Sequence, residues 1–168
     1  QVSGGIDGRL QYAEGGSKGV LEGLFLNARK IFKDTGGDRV IMVGQLDVDD
    51  NFRKIRPYQT YVQYKGGLGR WNLRVGHYLL PFGLLSDYDT ERLILKTIEA
   101  EALGIKLDSG AEVFGNRGDW VWALSLSEGI GRRWITNYDN NFLAAGRVGR
   151  WLGERTKIGF SALAGNIK

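Results

Sequence analysis

Seven basic residues spread along the chain, Arg39, Lys65, Arg70, Arg74, Lys106, Arg147 and Lys157, could do chemistry by type and placement, and that chemistry is electrostatic. They fall on the polar parity of alternating runs, where together they would line a pore wall with positive charge and concentrate anions. For any one of them a structural role beside a carboxylate such as Asp47 or Asp108 is an equal reading, so only their sum argues for anions. Scatter of this kind argues against nucleic acid, despite a net charge of +4 and a pI near 9.4, because no basic cluster lies on a candidate helix.

Other chemistry is sparse. His77 is the only histidine, which removes multi-histidine metal sites and leaves few acid–base arrangements. It shares the apolar parity of its run, which suits an interfacial residue better than a catalyst. Without cysteine there is no thiolate zinc, iron–sulfur or haem attachment site, and no cofactor is expected. Gly66-Gly67-Leu68-Gly69 lacks the Lys-Ser/Thr and the helix of a phosphate loop and reads as a turn. Asp47, Asp49 and Asp50, followed by Asn51, offer oxygens to a hard cation such as calcium, but at a spacing that fits no known loop. An exposed acidic loop tip is the plainer reading. The chain is therefore expected not to be an enzyme.

The elements that would position these residues are strands. Apolar and polar residues alternate over about nine runs, roughly 4–13, 20–32, 38–49, 57–65, 70–79, 103–115, 119–128, 140–151 and 156–166. No run approaches the roughly 20 apolar residues of a membrane-spanning helix. Tight turns at 34–37, 66–69, 116–118 and 152–155 alternate with wider connections at 14–19, 50–56, 80–102 and 129–139. Short connections at one end and long ones at the other describe a meander of the kind found in outer-membrane barrels. Gln1 would suit a start after signal cleavage.

In a strand alternate residues face opposite sides. The expected outward sets are Val40, Met42, Gly44, Leu46 and Val48; Trp71, Leu73, Val75 and His77; Leu103, Ile105 and Leu107; Trp120, Trp122, Leu124 and Leu126; Phe142, Ala144, Gly146 and Val148; and Ile158, Phe160, Ala162 and Ala164. The run 20–32 alternates poorly, because Glu22 shares a face with Leu24 and Leu26. Aromatic residues gather near run ends, where membrane interfaces favour them. A soluble sandwich also alternates, but gives no reason for short and long connections to take turns.

The connection 80–102 is long enough to carry its own function. Pro81, Phe82 and Gly83 open it, and Leu93, Ile94, Leu95 and Ile98 alternate in it with charged residues including Arg92 and Lys96. The pattern suits a short helix that either folds inward as a constriction, the preferred reading, or packs on a neighbouring subunit.

The stretch from Arg70 through Arg74, Gly76-His77-Tyr78 and Pro81-Phe82-Gly83 resembles a segment of phosphate-selective porins of the O and P type. Leu107-Asp108-Ser109-Gly110, Phe114-Gly115, Gly118-Asp119-Trp120, Glu128-Gly129 and Gly146-Arg147-Val148-Gly149 extend the likeness over roughly residues 20–166. The resemblance implies an all-β, antiparallel up-and-down transmembrane β-barrel in the Gram-negative outer membrane. The nine runs would form a single barrel domain, the amino-terminal part of a barrel of about sixteen strands. It implies a porin-like channel for passive diffusion of small hydrophilic solutes, anion-preferring, in contact with outer-membrane lipid and assembled as a homotrimer. The terminal Gly165-Asn166-Ile167-Lys168 departs from the family, which ends on an aromatic residue. Two rivals stand beside it: a barrel sheathing a multihaem cytochrome in an electron conduit, and a membrane-embedded hydrolase.

Overall fold

Runs that alternate at period two bury one face only when extended, and the β-branched and aromatic residues here favour that conformation. The computed structural model describes residues 2–13, 16–49, 54–83, 107–130 and 141–166. They form nine strands: β1 (Val2–Ala13), β2 (Gly16–Asp34), β3 (Gly37–Asp49), β4 (Lys54–Gly66), β5 (Trp71–Leu79), β6 (Leu107–Arg117), β7 (Trp120–Ser127), β8 (Leu143–Leu152) and β9 (Thr156–Gly165). One sheet holds them in sequence order, each antiparallel to the next.

That sheet is open, which corrects the expectation of a closed transmembrane barrel. Strand order runs from β1 to β9 with no pairing between those two. Direction alternates along an antiparallel meander, so the first and ninth strands run the same way. Joining them would give a parallel seam, whereas closed barrels of this kind keep an antiparallel ladder throughout by using an even strand number. Every reading built on closure falls with it: the likeness to phosphate-selective porins, the sixteen-strand barrel, the outer-membrane location with its lipid contact, the diffusion channel, the homotrimer and the sheath around a multihaem cytochrome. Each needs a wall closed around a lumen, and an open sheet has none. No helix among the described residues is long and apolar enough to cross a membrane.

The tight turns lie where glycine permits them. Gly37 and Gly118 adopt positive φ in the β2–β3 and β6–β7 turns, and Gly67–Gly69 forms a 3-10 turn between β4 and β5. The first connection is shorter than expected, since β2 begins at Gly16 and pairs there with Ala13. Register shifts interrupt β1 between Asp7 and Gly8, β2 between Phe32 and Lys33, and β3 between Gly44 and Leu46.

The sheet has one apolar and one polar face. Met42, Leu46, Trp71, Leu73, Val75, Leu124, Leu126, Val148, Ile158 and Phe160 are exposed on the first. Buried residues concentrate toward the end of the sheet away from the tight turns, as Tyr58 with Leu79 and Leu107, and as Leu80 with Leu143 and Leu163.

Candidate anion-binding face

On the polar face, Arg74 of β5 stands across from Glu112 of β6, and Nη1 lies 3.2 Å from Oε2. Rings sandwich the guanidinium, with its carbon 4.5 Å from the Tyr61 centroid and 4.7 Å from that of Phe114. Planar cation on aromatic face is a favourable stack, strengthened by the loss of water around it. Nη2 also donates to Gln63 Oε1 at 3.5 Å, and Gln63 Nε2 donates to Asn72 Oδ1 at 3.5 Å. Asn72 Nδ2 in turn donates to the carbonyls of Gly69 and Phe114. Arg74 is thus committed within its own sheet.

One layer along, Gly76 faces Gly110, and then Tyr78 faces Asp108. Gly76 has φ 133°, and a Cβ there would collide with the backbone of Thr60 and Tyr61. Tyr78 is fully buried, and that burial, with Glu112 and Asp108 nearby, pushes its hydroxyl pKa well above the usual tyrosine range. Asp108, at 0 % exposure, accepts from the backbone N–H groups of Ser109 at 2.9 Å, Gly129 at 2.6 Å and Ile130 at 3.3 Å. Its charge fastens the chain leaving β7 to β6 rather than neutralising a cation.

Residues 80–83 cross from the end of β5 to β8 and β9. Phe82 N–H donates to Leu80 C=O at 2.8 Å around Pro81, whose fixed φ suits so tight a turn. Gly83, at φ 69°, donates its N–H to Ser161 Oγ at 3.0 Å and accepts from Arg147 Nη1 at 3.5 Å. Leu80 anchors the crossing against Leu143 and Leu163.

Beneath this crossing a hollow of about 520 Å³ reaches from Asn27 of β2 to Lys157 of β9, with Arg29, Arg74, Glu112 and Arg147 also in its lining. Arg147 and Lys157 are its distinctive pair. A Cβ on Gly149 would press on the Lys157 side chain at 2.9 Å from Cε, so the bare glycine gives that stem its path along the face. Lys157 has its pKa lowered, first by burial and then by repulsion from Arg147. Among the described residues, carboxylates pair with Arg39, Lys65 and Arg74, and none pairs with Arg147 or Lys157.

The seven basic residues therefore separate. Arg74, Arg147 and Lys157 meet at the hollow. Arg39 pairs with Asp34 at 3.4 Å and Lys65 with Asp38 at 3.7 Å near the tight turns. Arg70 is exposed after the 3-10 turn, and its carbonyl accepts from Asn116 N–H at 3.3 Å. Lys106, Arg92, Lys96 and Asp50 lie outside the described residues, as do the side chains of Asp47 and Asp49 in β3 and of Glu22 in β2. Pro81 lines the hollow, and Phe82 and Gly83 follow it in the crossing. Glu112 escaped the sequence reading, although its placement across from a basic strand position was the available signal. His77 keeps its apolar-face parity but is buried, with Nδ1 3.0 Å from Ser109 Oγ.

No family model, no curated protein and no solved structure matches this chain.

Proposed function

We propose that this chain is a non-enzymatic binding module that receives an anionic group, phosphate or carboxylate, on the polar face of its sheet. Arg147 and Lys157 are the receiving cations, and residues 80–83 form the adjoining wall. The observation that carries this reading is the convergence of two half-buried cations that no described carboxylate neutralises. Two like charges held together in a partly desolvated hollow favour an incoming anion, because it relieves both burial and mutual repulsion. Arg147 supplies a planar fork and Lys157 a mobile point charge.

The test is calorimetric titration of the intact protein with inorganic phosphate at low salt. Binding is expected in the wild type, should weaken as salt rises, and should disappear in an Arg147→Gln, Lys157→Gln double variant. An Arg39→Gln, Lys65→Gln variant removes the same charge elsewhere and should bind as the wild type does. Equal loss in both variants would reduce the effect to net charge and overturn the reading.

A further inference from the structure

We infer that the anion received on the polar face is carried on a single aromatic ring, so that the hollow takes an aryl phosphate or aryl carboxylate; this rests on the reading of Arg147 and Lys157 as the receiving cations. The hollow of about 520 Å³ is far larger than one phosphate needs, and it falls in the range of about 300–1,000 Å³ that holds small organic ligands. What lines it beside the two cations therefore describes the rest of the ligand. Phe114, Val121 and Ala123 line it there, and none of their side chains offers a hydrogen-bond donor or acceptor. Asn116, the polar neighbour of Val121 on β6, is exposed and keeps its hydration.

Register brings this apolar patch against both cations. Phe114, Ala123 and Arg147 are successive partners across β6, β7 and β8, so their side chains share the polar face and Ala123 lies between the ring and the guanidinium. Val121 pairs in the same way with Gly149. A Cβ on Gly149 would stand 2.9 Å from Lys157 Cε and 3.4 Å from Val121 Cγ2, so the bare glycine leaves the lysine stem and the valine methyl side by side. A hydrated phosphate gains nothing from such a floor, because covering its oxygens with methyl groups removes water and returns no hydrogen bond. An acid group on an apolar ring gains at both ends. Its oxygens reach Arg147 and Lys157 while the ring covers Ala123 and Val121 and meets the ring of Phe114, an aromatic contact worth more than its area alone. Phe114 and Arg147 stand two strand spacings apart, about 10 Å, which suits one ring with its acid group.

Calorimetric titration of the intact protein at low salt tests this with two matched pairs, phenyl phosphate against inorganic phosphate and benzoate against acetate. At the usual value of buried apolar area, sinking about 60 Å² of ring is worth about tenfold, so the aromatic member of each pair should bind about tenfold tighter. Glucose 6-phosphate, whose ring is of similar size but covered in hydroxyls, should show no such gain over inorganic phosphate. In NMR spectra of the phenyl phosphate complex, the ring protons should give NOEs to the methyl groups of Ala123 and Val121. Ala123→Leu, which fills the floor, should erase the difference between phenyl phosphate and inorganic phosphate, and Val121→Thr, which keeps the volume and adds a hydroxyl, should reduce it. Should Ala123→Leu fail to fold, the NOEs and Val121→Thr still decide the matter. Equal affinity within either pair, an equal gain for glucose 6-phosphate, a difference that survives the substitutions, or NOEs that bypass both methyls would overturn the inference and leave the anion site standing. Absence of binding by inorganic phosphate and phenyl phosphate alike would overturn the anion site and the inference with it.

Discussion

At the scale of single residues, the polar face divides its charges between those that hold the sheet and those that remain available. Arg74 and Glu112 belong to the first group, both being largely buried and stacked or hydrogen-bonded. Removing one partner of such a pair strands the other, so Glu112→Gln should lower stability by about 3–5 kcal/mol in urea unfolding. Replacing both, as Arg74→Met with Glu112→Leu, should cost clearly less than the two single changes summed. Asp34 is a surface counterpart: its carboxylate accepts from Thr35 N–H at 2.7 Å, the main reason its pKa is lowered, with Arg39 adding to it. The stability it lends is present above the unfolded value of 3.8 and is lost as pH falls through the lower folded value. His77 and Ser109 touch as a base and a nucleophile would, yet they sit on the face opposite the hollow, beside the Leu79–Leu107 pair. Ser109→Ala should leave phosphate binding unchanged, and a fluorophosphonate probe should not label Ser109. Labelling there would contradict the non-enzymatic reading.

At the scale of elements, the crossing at 80–83 connects the end of β5 to the binding face at β8 and β9. Gly83 is the residue that permits it, because a side chain at φ 69° costs about 1–2 kcal/mol. Gly83→Ala should therefore shift the urea midpoint downward and weaken phosphate binding, since the Gly83 carbonyl helps hold Arg147. Unchanged affinity with lowered stability would detach the crossing from the site. Much of the strand layout was legible in advance: alternation placed Leu73, Val75, Leu124, Leu126 and Phe160 on the exposed apolar face, where they are found. Period two reads faces well because a one-residue slip would exchange them all. Alternation carries no information about closure, however, since it is the same in an open sheet and in a barrel. Nor could spacing show that Lys65 pairs with Asp38 of the neighbouring hairpin, that Asp108 serves backbone N–H groups, or that the chain after Pro81 reaches Ser161, because these depend on contacts between strands.

At the scale of the whole molecule, an open sheet leaves an apolar face to be accounted for. Exposed apolar patches of more than a few hundred Å² mark association surfaces, and Leu124 and Leu126 lie exposed in the middle of this one. The native protein should bind an apolar fluorescent dye, and Leu124→Gln with Leu126→Gln should reduce that signal while leaving the unfolding midpoint nearly unmoved. The opposite face carries the functional claim, and Lys157 reports on it directly. Its folded pKa lies below the ordinary lysine value of 10.5, so the folded state binds fewer protons than the unfolded one between the two values. Stability should therefore rise with pH across that window, as the buried charge is relieved. Below the window the ammonium keeps its charge, and an anion beside it offsets the cost. The decisive measurement is an NMR titration of the Lys157 ammonium with and without inorganic phosphate. A pKa below the ordinary lysine range in the free protein, raised by Arg147→Gln and raised again in the wild type by phosphate, is the predicted result. An ordinary lysine value that neither the substitution nor phosphate moves would contradict the account.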